Sequence, residues 1–114
     1  MSKQKILIVD DEVDYCTIIK SYFQSRKQEV LVAHNLKEGV ELLNREKPEI
    51  LLLDNNLPDG KGWESVDEIV EKFPHLKIFL ISAHRAKSDF STNCPNITVW
   101  EKPISLSLLN NVIA

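Results

Sequence analysis

The chain has 114 residues, 43% hydrophobic and 27% charged, with a formal net charge of -3. That length holds one domain around a single core, and the acidic balance excludes a sequence-independent grip on nucleic acid, which needs a basic surface. No apolar run approaches the length of a bilayer span. The polar start from Met1 to Lys5 lacks a signal-peptide core, so a cytoplasmic location without membrane contact is expected. Cys16 and Cys94 are far apart and lack CxxC spacing, so they read as reduced thiols. His34, His75 and His84 are scattered and offer no zinc site.

In chain order, five apolar, β-branched stretches predict strands: Ile6 to Val9, Val30 to Ala33, Ile50 to Leu53, Ile78 to Ile81 and Ile97 to Trp100. The first and third are continuous rather than alternating, as in strands buried on both faces of a parallel sheet. Between them, helical spacing recurs. Cys16, Ile19 and Phe23 form one stripe. Leu36, Val40 and Leu43 form the next, opened by Asn35 with Glu38 as capping-box partner. Val66, Ile69, Val70 and Phe73 form a third, ended by Pro74. Leu106, Leu109 and Ile113 form a short last one behind Ser105, a good N-cap. The polar segment from Arg85 to Asn96 predicts a fourth helix that is short or absent. The alternation implies an α/β fold, a parallel sheet covered by helices on both faces, whose ligand site lies beyond the carboxyl ends of the strands.

Those ends carry the chemistry. Asp10 and Asp11 follow the first strand, Asp54 the third, Ser82 the fourth and Lys102 the fifth. Carboxylates converging there repel by roughly 3 kcal/mol per pair at ~5 Å and an effective dielectric of about 20. A hard cation such as Mg²⁺ relieves that cost through one or two carboxylates, waters and phosphate oxygens. Asp54 is then a plausible nucleophile for a phosphoryl group, because carboxylates form aspartyl-phosphates. Lys102 supplies fixed positive charge, and the Ser82 hydroxyl can donate to a phosphoryl oxygen. Gly60-Lys61-Gly62 has neither GxGxxG nor P-loop spacing and reads as the turn into the third helix. Trp63 and Trp100 read as packing residues.

Four elements in order, each after a predicted strand, carry a family likeness: Val9-Asp10-Asp11-Glu12, Asp54 through Gly62, Ser82-Ala83 and Lys102-Pro103. With them the chain resembles a response-regulator receiver domain of two-component signalling over essentially its whole length. The resemblance implies a flavodoxin-like, doubly wound sheet of order 2-1-3-4-5. It implies that Asp54 is the phosphoacceptor, Asp11 a direct Mg²⁺ ligand, Asp10 an acidic neighbour acting largely through water, and Asn56 a ligand through its backbone carbonyl. Ser82 becomes the switch hydroxyl and Lys102 the lysine that pairs with the phosphoryl group. The implied partners are a histidine kinase or phosphotransfer protein and an effector domain or output protein, with room for a homodimer. Residues 1–114 are expected to be one receiver domain, a piece of a larger regulator. It would be a phosphoacceptor that assists its own phosphorylation and dephosphorylation rather than an enzyme proper.

Departures from the pattern are specific. Val99 stands where the family carries an aromatic residue, with Trp100 one place later and, by alternation, on the other face. Asn55 replaces an apolar residue, and the gap between Ser82 and Lys102 is slightly short. Val99, Asn55 and the polar segment from Arg85 to Asn96 motivate the alternative of a pseudo-receiver, an interaction module without phosphorylation. A phosphatase using Asp54 is disfavoured, because Asn56 stands where a second aspartate would act as general acid. His84 and Asn56 occupy positions that can influence the access of water to the phosphoryl group, with a modest effect on dephosphorylation expected.

Overall fold

The computed structural model describes residues 3–82, 96–102 and 104–113. The strands are β1 (Lys5–Val9), β2 (Glu29–Ala33), β3 (Ile50–Asp54), β4 (Lys77–Ser82) and β5 (Ile97–Glu101), all parallel and ordered β2-β1-β3-β4-β5. Order reverses between β1 and β3. A two-residue antiparallel ladder, Asn56–Leu57 with Gly60–Lys61, follows β3. Among the described residues the helices are α1 (Val13–Ser25), α2 (Leu36–Glu46), α3 (Gly62–Lys72) and α4 (Leu106–Val112). The expected short helix between Arg85 and Asn96 falls almost entirely outside the described residues, as do Ala83, His84, Cys94 and Pro103.

Because the central strands are covered on both faces, β1 and β3 are buried along nearly their whole length. Alternation sorts their side chains into two clusters. Ile6, Ile8, Ile50, Leu52, Phe79 and Ile81 meet Cys16, Ile19 and Phe23 of α1 and Leu109 and Val112 of α4. Leu7, Val9, Leu51, Leu53, Ile78 and Leu80 meet Leu43 of α2 and Val66 and Ile69 of α3. Val99 and Trp100 fall on opposite faces as expected, and the Trp100 ring packs 4.7 Å from that of Phe79.

Two helix faces differ from the sequence reading. Val40 is 38% exposed, and its place against the sheet is taken by Gly39. A Cβ on Gly39 would stand 2.8 Å from Val9 Cγ2, so the missing side chain lets the α2 backbone settle onto β1. Leu106 is 58% exposed, whereas Val112 is fully buried. Leu106 lies in the first turn of α4, at the rim of the sheet where the core ends.

Local signals set the ends of the elements. Asn35 Oδ1 accepts a hydrogen bond from Glu38 N at 2.8 Å, and Glu38 Oε1 accepts from His34 N at 3.1 Å, one residue earlier than in a strict capping box. Ser105 Oγ accepts from Leu108 N at 3.2 Å. Lys47 closes α2 in a left-handed conformation, φ 48°, immediately before Pro48.

Candidate functional site

The site forms where β1, β3 and β5 run out. Asp10, Asp54 and Lys102 each lie two positions beyond a residue of the α1–α4 face, Ile8, Leu52 and Trp100, so strand alternation brings all three out on that side of the sheet. Asp10 is anchored by its backbone N–H, which donates to Ala33 O at 3.0 Å, and its Oδ1 accepts from Glu12 N at 3.0 Å. Cys16 Sγ donates to Asp10 O at 3.3 Å, and His34 Nδ1 lies 3.1 Å from the same oxygen. Burial and the neighbouring Asp10 charge push the Cys16 thiol up to about 12, which leaves it unreactive.

Carboxylate oxygens of Asp10, Asp11 and Asp54 all lie within 4.8 Å of one another. Asp10 and Asp54 are buried and Asp11 is exposed, so the cluster opens to solvent on one side. Lys102 Nζ stands 3.0 Å from Asp10 Oδ2, 3.6 Å from Asp54 Oδ1 and 2.7 Å from Glu12 Oε1. Among the described residues, one ammonium faces four carboxylates and does not neutralise them. Burial, then the Asp10 charge, push the Asp54 carboxyl up to about 6, against the pull of Lys102 and of the Asn56 backbone N–H that hydrogen-bonds to it. Burial alone would lower the Lys102 pKa, but hydrogen bonds to Glu12 and Asp10 outweigh it and raise the net value. An all-oxygen donor set with excess negative charge and an open side fits a hard divalent cation better than a softer metal.

Ser82 closes β4, one register position past Ile81, the partner of Asp54, and is buried. Its carbonyl accepts from Lys102 N at 2.8 Å, tying the fourth and fifth strand ends together. The Asn56 side chain is exposed. The structure thus gathers Asp10, Asp11, Asp54 and Lys102 into one cluster and sets Ser82 and Asn56 on the same rim.

Four further contributors escaped the sequence reading. Asn55, noted only as a departure, accepts from Gly62 N through its carbonyl at 2.9 Å and from Trp63 N through Oδ1 at 3.1 Å. Lys61, the N-cap of α3, makes no side-chain cap, so Asn55 serves α3 from the residue beside Asp54. Gly62 is needed for that approach, since a Cβ there would lie 2.6 Å from Asp54 O. Asp59 accepts from Leu36 N at 2.8 Å and Lys37 N at 2.9 Å, bonds that hold its carboxyl below the usual range and pin the loop after Asp54 to α2. Glu12 joins the site through Lys102, and only its place next to Asp11 hinted at this.

The comparisons with known proteins agree with this architecture. The sequence matches the model of the response regulator receiver domain over residues 6–113. It is 33% identical over 117 residues to the response regulator protein PilR of Pseudomonas aeruginosa, a match covering 100% of this chain and 26% of that protein. To the chemotaxis protein CheY of Listeria monocytogenes it is 36% identical over 80 residues, 69% of this chain and 67% of that one. A solved CheY-like receiver domain protein from Methanospirillum hungatei superposes with a TM-score of 0.88 at 27% identity, covering 98% of this chain and 91% of that one. The chain therefore spans about a quarter of the length of PilR. A strand order that reverses beside a rim of acidic residues and one lysine, together with these matches, leads to one conclusion: the chain belongs to the response regulator receiver domain family of two-component signalling.

Proposed function

We propose that Asp54 accepts a phosphoryl group from a phosphohistidine of a histidine kinase or phosphotransfer protein, with Mg²⁺ held by Asp11, Asp54 and the Asn56 carbonyl and with Asp10 acting through water. The observation that carries this reading is the convergence of Asp10, Asp11 and Asp54 within 4.8 Å, with Lys102 3.6 Å from Asp54. When bound, the cation supplies Lewis-acid stabilisation of phosphoryl oxygens and offsets the carboxylate charge. The protein's own groups do the rest. An ionised Asp54 oxygen attacks phosphorus as the phosphorus–nitrogen bond breaks, and the departing imidazole keeps the electron pair. Lys102 pairs with a phosphoryl oxygen, and the Ser82 hydroxyl donates to another.

The exposed apolar side chains Val13 (58%), Ile18 (61%) and Leu106 (58%) support docking of the phosphodonor here, because α1 and α4 both begin at this rim. We read residues 1–114 as the receiver part of a larger cytoplasmic regulator that passes the signal to an effector domain or output protein. Asn55, one motive for a pseudo-receiver, has an ordinary job capping α3 and says nothing against phosphorylation.

The test is direct. Incubation with a small phosphodonor and Mg²⁺ is expected to add the mass of one phosphoryl group to the intact protein, and Asp54→Asn to abolish the gain. No adduct on the wild type, or an adduct that persists in the variant, would overturn the reading.

A further inference from the structure

Lys102 is closest to a residue outside the phosphoryl chemistry. Its ammonium lies 2.7 Å from Glu12 Oε1 and 3.0 Å from Asp10 Oδ2, both hydrogen-bond distances, but 3.6 Å from Asp54 Oδ1, which is beyond one. The same ammonium sits 4.8 Å from the centre of the Tyr15 ring, a cation–π contact from the first turn of α1. Glu12 and Tyr15 therefore hold Lys102 on the α1 side of the site.

The two carboxylates that bind the lysine differ in how easily they release it. The Asp10 side chain is 3% exposed and would be left charged and buried, whereas that of Glu12 is 62% exposed and returns to water. An ammonium has three protons to donate. A phosphoryl group on Asp54 presents oxygens that compete for one of them, and Glu12 is the partner that can be exchanged.

We propose that Glu12 is a positioning residue that restrains Lys102 in the unphosphorylated domain and must yield it for phosphoryl acceptance. The inference rests on Asp54 being the phosphoacceptor. Removing the restraint favours only the step in which Lys102 changes partner. Acceptance accelerates, while hydrolysis of the aspartyl-phosphate, in which Lys102 is already on the phosphoryl group before and during reaction, keeps its rate.

The experiment compares the wild type with Glu12→Gln at saturating Mg²⁺, using phosphoramidate as donor and following intact mass. Acceptance is expected to rise about two- to fivefold, the rate ratio an exposed ion pair is worth, with the hydrolysis rate after donor removal unchanged. A merely structural loss would not speed one step and spare the other. In parallel, Glu12→Gln and Lys102→Met are combined in a double-mutant cycle read by thermal unfolding, with non-additive shifts expected. A wild type that takes the phosphoryl group beside a Glu12→Gln variant that is no faster, or additive shifts in the cycle, overturns the restraint. If neither protein takes up phosphoryl, the phosphoacceptor reading falls and this inference with it.

Discussion

Asp54 combines two demands that conflict in the metal-free protein. In the proposed reaction it must be ionised to attack phosphorus, yet burial and Asp10 push its carboxyl up to about 6. Since the folded value lies above the unfolded one of about 3.8, the native state binds more protons between these values. Stability from this group is therefore greatest at low pH and declines as pH rises from about 4 to about 6. Asp54→Asn, neutral and of the same shape, is expected to stabilise the metal-free domain at pH 7 by on the order of 2 kcal/mol. The gain should disappear near pH 4, and thermal melts of both proteins across that range, in a chelator, check the sign.

At the scale of the element, α3 is attached to the site rather than merely near it. Asn55 hydrogen-bonds the first two backbone N–H groups of α3, and Gly62 lets that turn approach the Asp54 carbonyl. A methyl group there also meets Leu53 Cγ at 2.9 Å, so either β3 or α3 must shift. Gly62→Ala is expected to cost roughly 1–3 kcal/mol, as overpacking does, and to slow phosphoryl acceptance, whereas alanine should be tolerated at exposed positions of the same helix such as Glu68. Denaturant melts and the adduct assay measure the two effects. The sequence disclosed Gly60-Lys61-Gly62 as a turn but not this contact, because one sequence shows a glycine without showing what lies beside it. Asn55 likewise looked like an anomaly, since a buried polar residue makes sense only once its partners are known.

Across the whole molecule, three carboxylates from two strand ends and one loop position converge on a rim where, among the described residues, Lys102 is the cation paired with them. With Mg²⁺ at the proposed site, that arrangement would couple fold to metal. Mg²⁺ at a hundredfold excess over its dissociation constant should stabilise the native state by about 2.7 kcal/mol. It should raise the melting temperature by several degrees relative to a chelator. Asp11→Asn, at an exposed position, should lose most of that rise while melting normally without metal. A calorimetric scan with and without Mg²⁺ reads both outcomes.

The sequence by itself determined the five strands, the continuous burial of β1 and β3, the caps at Asn35 and Ser105, and which carboxylates, hydroxyl and lysine end the strands. It could do so because strand and cap signals are local, carried by hydrophobic periodicity and by side chains that bond their own neighbouring backbone. Val40 and Leu106 were misplaced because periodicity sees apolar residues but not the gap that Gly39 provides or the rim where a core stops. Tertiary structure alone decided the distances around Lys102, the hold of Glu12 and Tyr15 on it, the raised pKa of Asp54 and the fastening of α3 by Asn55. Each of these depends on groups remote in sequence meeting in a space from which water is partly excluded, and that meeting is set by packing rather than by local pattern.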